Sequence, residues 1–252
     1  MNTMDFTGKR YLIAGIGGIG SAIVEALYDL GAQLVLMDIS DVNINNIVEK
    51  YGSDSVRGYV CDFSDVLGIE PIVKRMIAEV GPVDGFVYAA GLGSVRPLKM
   101  CKYDFMRNVM DVNFFAFIEM VRIISARGNS NPLGMNIVGI SALGAFMGNS
   151  TKTAYCASKG AMNAAVRCLA KELAPRSIRV NTVAPGVTDT KMFRDAQDYG
   201  AGSEAFRQIE ERQYLGVCEP SDIADAVVFL LSDMSHKITG CCLPVDGGKL
   251  TS

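Results

Sequence analysis

The sequence predicts an α/β fold: a doubly wound, seven-stranded, mainly parallel sheet with helices on both faces. Three observations predict it. Short apolar runs alternate with helix-patterned stretches along all 252 residues, the rhythm of successive βα units. Most of those runs are continuously apolar, as strands covered on both faces are. A glycine-rich turn follows the first run and opens a helix at once. No repeat, low-complexity tract or linker interrupts the pattern, so residues 1–252 are expected to form one domain.

The elements follow in order. Arg10 to Ala14 reads as a buried strand, followed by Gly15-Ile16-Gly17-Gly18-Ile19-Gly20 and a helix from Ser21 to Leu30. Glycines in a strand–turn–helix context allow a tight turn, and the helix N-terminus offers N–H groups to a pyrophosphate. A second strand, Gln33 to Met37, ends at Asp38, 18 residues beyond Gly20. An acid about 20 residues on is the group expected to hydrogen-bond the adenosine ribose, and it repels a 2′-phosphate, so NAD is expected over NADP. Val56 to Cys61 is a third strand running into Asp62-Phe63. Asp62 either meets an adenine amino group or caps a helix starting near Ser64-Asp65. A helix over 69–80 ends at Gly81-Pro82, and strand four, Val83 to Ala89, leads into Ala90-Gly91-Leu92-Gly93.

A long helix is predicted over 103–126 with Asn113 at its centre. Asn is a poor residue for a helix interior, which points to a polar role inside the fold. Met135 to Ile140 is strand five, and Ser141 lies just past its carboxyl end, where open α/β sheets bind ligands. A helix over 154–174 follows, then strand six over 178–184 and the segment Pro185-Gly186-Val187-Thr188-Asp189-Thr190. Residues from about 191 to 217 lack a sustained apolar pattern and suit a lid over a pocket. A helix over 221–231 and a strand over 238–245 complete the chain.

Composition excludes several classes. With 24 basic and 27 acidic residues, and no basic block, nothing points to nucleic acid. No apolar run reaches the roughly 20 residues of a membrane span. Asp5 stands where a secretory leader would carry a base. Seven scattered Cys without a Cys-x-x-Cys read as reduced thiols in a cytoplasmic protein, and a single His, His236, cannot build a histidine metal site. The chemistry concentrates at Tyr155 and Lys159, four residues apart on one helix and therefore on one face. A cation near a phenol favours the phenolate, which lets tyrosine exchange protons at neutral pH.

Taken together these residues resemble the short-chain dehydrogenase/reductase family across nearly the full chain. The matching pieces are Gly15-x-Gly17-Gly18-Ile19-Gly20, Asp38, Asp62, Ala90-Gly91, Asn113, Ser141, Tyr155-x-x-x-Lys159, Asn181-x-Val183-x-Pro185-Gly186 with Thr190, and Ile238-Thr239-Gly240 with Val245-Asp246-Gly247-Gly248. The resemblance implies a Rossmann fold and hydride transfer between NAD(H) and a secondary alcohol or ketone. Tyr155 would be the general acid/base, and Lys159 would lower its pKa and hold the nicotinamide ribose. Ser141 would bond the substrate oxygen, and Asn113 would hold a water linking Lys159 to solvent. Asp62 would lie against the adenine, with Phe63 beside it in the cofactor site, and Pro185 to Thr190 against the nicotinamide, Val187 through its backbone. Family members commonly form homotetramers through the two long helices. The first turn is one residue shorter than the usual family pattern and lacks its Thr; Ala89 stands where an Asn is usual.

A small-molecule substrate is therefore expected, without nucleic acid or membrane partners. The pocket is expected near 92–96, 142–149 and 187–215, with Leu143, Phe146, Met147, Met192, Phe193, Phe206 and Tyr214 giving it an apolar wall. That favours a steroid-like or other apolar alcohol, since the segments over 84–93 and 181–190 are similar to bacterial hydroxysteroid dehydrogenases. A 3-oxoacyl-carrier-protein reductase is the alternative, although those generally prefer NADPH. A non-catalytic NAD-binding sensor would not need Ser141, Tyr155, Lys159 and Asn113 together.

Overall fold

The computed structural model describes residues 4–191, 193–194 and 212–251. Seven strands form one sheet: β1 Arg10–Ala14, β2 Gln33–Asp38, β3 Val56–Val60, β4 Gly85–Tyr88, β5 Met135–Ile140, β6 Ile178–Pro185 and β7 Cys242–Val245. Their order is β3-β2-β1-β4-β5-β6-β7, and every pairing is parallel. The chain reverses its winding between β1 and β4, so the carboxyl ends of those strands open a crevice, the position at which doubly wound sheets bind ligands.

Helices α1 Gly18–Asp29, α2 Asp41–Tyr51 and α7 Pro220–Leu231 cover one face. Ile23, Val24 and Leu27 of α1 pack there with Val227 and Leu230 of α7. On the other face lie α3 Ile69–Val80, α4 Tyr103–Met110, α5 Ala116–Ile124 and α6 Thr153–Leu173. Val73, Phe117, Met120, Met162 and Val166 form the core on that side. With both faces covered, β1 and β4 read as unbroken apolar runs because almost every residue is buried.

Three elements depart from the sequence expectation: the last strand, expected over 238–245, forms only over Cys242–Val245, and two helical segments differ. Helix α2 is not marked by apolar periodicity: its three Asn are weak helix formers, and Ile44 is its only buried residue. It starts because the Ser40 hydroxyl accepts from Asn43 N at 3.2 Å. The long helix predicted over 103–126 is interrupted: Asp111–Phe115 winds as a π-turn between α4 and α5. Such a turn frees carbonyls from the helical ladder, and the buried Tyr88 hydroxyl donates to Val112 O. No helix among the described residues is long and apolar enough to cross a membrane. The proposed lid lies mostly outside the described residues, and Met192 and Phe206 fall there with it.

Candidate active site

The first turn is built by close approach. Gly15 has φ of +86°, and a Cβ there would lie 2.3 Å from Ala90 N, so only glycine lets the turn rest against the end of β4. A Cβ on Gly20 would fall 2.0 Å from Gly15 O. Gly17 instead faces open space and serves as N-cap of α1 without any side-chain cap, and no acid occupies the first turn. That leaves a positive helix end open to an anionic ligand. Gly18 packs against the Thr190 side chain, 3.0 Å from where its Cβ would be, which joins this turn to the segment after β6.

Asp38 ends β2 as expected. Its Oδ2 accepts from Ile16 N at 2.8 Å and its Oδ1 from Ser40 N at 2.9 Å. The carboxylate therefore fixes the shortened turn, and each oxygen keeps acceptor capacity. The exposed Asp62 accepts from both Ser64 N and Ser64 Oγ through Oδ1. The 3₁₀ turn over 66–68 is capped by Asp65, which accepts from Gly68 N, while Asp62 caps only the bend at Ser64. Phe63 is buried in the core, edge-on to Tyr88 at 5.5 Å between centroids, and its side chain is not available to a ligand. Only its backbone can take the role expected of it.

Beyond β4, a cavity of about 430 Å³ brings together Ser141, Tyr155, Lys159, Gly91, Ile19 and the Pro185–Thr188 segment with Thr190. The wall includes Leu143, Met147 and Phe193; Phe146 and Tyr214 do not line it and are exposed. Ser141 lies one residue past β5, and its Oγ is buried without a hydrogen-bond partner. The Cys242 thiol lies within reach of that Oγ, so the hydroxyl faces the protein interior rather than the open cavity. Lys159 Nζ lies 5.9 Å from the Tyr155 ring centroid and donates to Ile140 O at 2.7 Å.

The electrostatics correct one expectation. Burial pushes the Tyr155 phenol up to about 12, and the nearby Cys156 adds to the rise. Burial also lowers the Lys159 amine to about 8. Within the protein alone, desolvation outweighs any help from the amine, so Lys159 does not by itself make Tyr155 acidic.

Asn113 sits in the π-turn, fully buried. Its Nδ2 donates to Leu92 O at 3.2 Å and Ser158 Oγ at 3.0 Å, and its Oδ1 accepts from Leu92 N at 2.7 Å. The amide donors are thus spent on protein groups, tying the loop after β4 to α6. A Cβ on Gly91 would lie 3.4 Å from Asn113 Oδ1 and 3.5 Å from Lys159 Nζ, so the remaining acceptor faces the amine's neighbourhood.

Val187 is engaged already. Its N–H donates to Gln213 Oε1 at 2.9 Å, and its carbonyl accepts from Gln213 Nε2 at 3.0 Å and from Cys218 N at 2.9 Å. Gln213 was not singled out by the sequence, which carries no local signal for it. Lys152 and Lys249 line the cavity as well and were equally unmarked.

Comparison with known proteins agrees with this arrangement. The family model described as enoyl-(acyl carrier protein) reductase matches residues 13–249. A 3-oxoacyl-acyl-carrier-protein reductase of Salmonella typhimurium is 33% identical over 97% of this chain and 98% of its own. A solved short chain dehydrogenase family protein from Francisella tularensis is 28% identical, with a TM-score of 0.85 over 97% of this chain and 99% of its own. The chain belongs to the short-chain dehydrogenase/reductase family. As a short-chain dehydrogenase/reductase it is an oxidoreductase built for a nicotinamide cofactor. A solved 4-hydroxyisoleucine dehydrogenase complexed with NADH shares the fold, with a TM-score of 0.90 at 25% identity over 97% of this chain and 100% of its own. In this short-chain dehydrogenase/reductase the open Gly17 surface, the uncapped α1 and the Asp38 carboxylate fit such a dinucleotide along the carboxyl edge of the sheet.

Proposed function

We propose that the protein interconverts a secondary alcohol and its ketone with NAD(H), using Tyr155 as general acid/base. The observation that carries this reading is the convergence of Ser141, Tyr155 and Lys159 on one cavity at the switch point of the sheet. Bound NAD(H) supplies the hydride acceptor or donor. The chain's own groups handle the rest. Ser141 is assigned the substrate oxygen; its Oγ lies buried beside the Cys242 thiol, so this role requires the hydroxyl to turn into the cavity. Tyr155 gives a proton to that oxygen in reduction and takes it in oxidation. A phenol raised to about 12 holds its proton at neutral pH, which suits the acid role. Lys159 has three donors and spends one on Ile140 O, leaving two for ribose hydroxyls.

Asp38 supports NAD over NADP, because its carboxylate repels a 2′-phosphate at the ribose. Residues Gly15, Gly17, Gly18, Ile19, Gly20, Asp62, Ala90, Gly91, Pro185, Gly186 and Thr190 complete the proposed cofactor site. Leu143, Met147 and Phe193 favour a substrate with an apolar body. The 33% identity to a 3-oxoacyl reductase favours, as a second reading, a carbonyl placed β to a thioester. A cytoplasmic setting accords with seven free thiols. Exposed Tyr103 and Phe115 on the helices over 103–124 would be covered in a homotetramer, which light scattering after gel filtration tests.

Steady-state turnover with NAD⁺ or NADH and a panel of secondary alcohols and ketones tests the reaction. Tyr155→Phe should lower turnover by about 10²–10⁴ while NAD affinity stays within about threefold. Unchanged turnover in that variant removes Tyr155 from the mechanism.

A further inference from the structure

We infer that Cys242 is a positioning residue for the reaction: its side chain parks the Ser141 hydroxyl away from the cavity until a substrate oxygen draws it over. This rests on the proposed reaction, in which Ser141 meets the substrate oxygen. The sheet brings the two side chains together. Gly139 of β5 pairs with Thr182 of β6, and Thr182 pairs with Cys242 at the start of β7. Paired residues on parallel strands share a face, and so do residues two apart on one strand. Ser141 is two beyond Gly139 and stays on the ladder, its N–H donating to Val183 O at 2.7 Å. It therefore stands on the face that carries Thr182 and Cys242. That face lies under α6, since a Cβ on Gly139 would be 3.1 Å from Met162 Sδ.

Asn163 lies one turn beyond Lys159 on the same side of α6. Its Oδ1 accepts from the buried Thr182 Oγ1 at 3.0 Å. The Cys242 thiol lies within reach of the Thr182, Asn163 and Ser141 side chains. Ser141 Oγ and Asn163 Nδ2 are the two buried side-chain polar atoms without a hydrogen-bond partner among the described residues. One sulfur thus borders both of them. Burial raises the thiol above its usual range, so it meets them uncharged.

Sulfur is a weak donor and a weak acceptor. It fills the space beside Ser141 Oγ without satisfying it. A buried hydroxyl in that condition gains more from a strong partner than one already bonded. Ser141 also lines the cavity, so a substrate oxygen there offers the better bond and shifts the hydroxyl toward it. Cys242 is not among the residues lining the cavity, so it acts on substrate through Ser141. An oxygen in place of the sulfur would bond the hydroxyl well and hold it parked; a methyl would not hold it at all.

The test compares Cys242→Ala and Cys242→Ser with wild type, using NADH and a ketone that wild type reduces. Cys242→Ala should raise kcat/KM about two- to fivefold, and Cys242→Ser should lower it about three- to tenfold. Opposite signs separate positioning from packing, because a merely structural role would lower both. Affinity for NADH should stay within about twofold in each. With Ser141→Ala added, the residual kcat/KM of the two variants should agree within about twofold. Crystal structures with NADH report the hydroxyl directly: Oγ toward Cys242 in wild type, and toward the cavity in Cys242→Ala. Changes of the same sign, unchanged kcat/KM, a difference that survives Ser141→Ala, or an Oγ already turned into the cavity in wild type overturns the inference. If wild type reduces no ketone, the proposed reaction falls and the two crystal structures decide alone. A hydroxyl that moves keeps the hold of Cys242 on Ser141; one that does not overturns both.

Discussion

Replacing Lys159 by Met should stabilise the protein at neutral pH while disabling it. The amine is buried, and desolvation lowers it from 10.5 to about 8. That interval is worth about 3 kcal/mol of unfavourable free energy whenever the folded protein must hold the ammonium. Met of similar length removes the charge. It also removes the 2.7 Å bond to Ile140 O, a loss of about 1–2 kcal/mol for a buried carbonyl. The net expectation is a gain of about 1–2 kcal/mol near pH 7. The direction with pH follows from which state holds the proton. Below about 8 both states are protonated and the burial cost is fully present. Between about 8 and 10.5 the folded amine has lost its proton and the unfolded one has not, so wild-type stability rises with pH relative to the variant. Urea unfolding at about pH 7 and about pH 9.5 should show the gap between the two proteins narrowing by about 2 kcal/mol. Turnover of the variant should fall by at least about 100-fold. A variant less stable than wild type at neutral pH, or a gap that does not move with pH, would refute the reasoning.

Three other substitutions probe separate parts of the site. Asp38→Ser should reduce the NAD-over-NADP preference at least about tenfold in kcat/KM, and should cost about 1–2 kcal/mol in urea unfolding because Ile16 N and Ser40 N lose their acceptor. Gly20→Ala would press a methyl to 2.0 Å from Gly15 O, so a loss of about 3 kcal/mol and of NAD binding by fluorescence titration is expected. Gln213→Leu frees the Val187 N–H and carbonyl, which pair with the Gln amide as they would with the carboxamide of nicotinamide. Its NAD affinity should tighten relative to ADP-ribose, which lacks that carboxamide; calorimetry showing equal changes for both ligands would end this account.

Much of the site was legible because its residue types have few other uses in such places. Glycines at 15, 17 and 20 were readable because a strand and a helix flank them, and Asp38 because of its distance from the turn. Tyr155 and Lys159 share a face through helical periodicity alone. The remainder depended on tertiary packing. Nothing in the composition of 111–115 announces a π-turn; only the misplaced Asn113 hinted at it. The direction of the Tyr155 shift depends on how deeply the fold buries the phenol, which spacing does not reveal. Helix α2 escaped detection because a polar, Asn-rich segment forms a helix only where a serine cap and one buried isoleucine hold it to the sheet. Lys152 and Lys249 are ordinary lysines until the chain folds them onto the same wall.

The π-turn also fixes how the chain is allowed to vary in length. It places one surplus residue between α4 and α5, so the two helices are phased differently by about 100° around their common axis. Deleting any one of residues 111–115 would let the ladder close into plain α-helix and leave Phe117, Met120, Val121 and Ile124 facing the interior they now fill, whereas forcing all five residues into α-helix would turn them away from it. A single-codon deletion there would therefore be felt at the turn itself, in the bonds made by Val112 O and the Asn113 amide, rather than along the following helix.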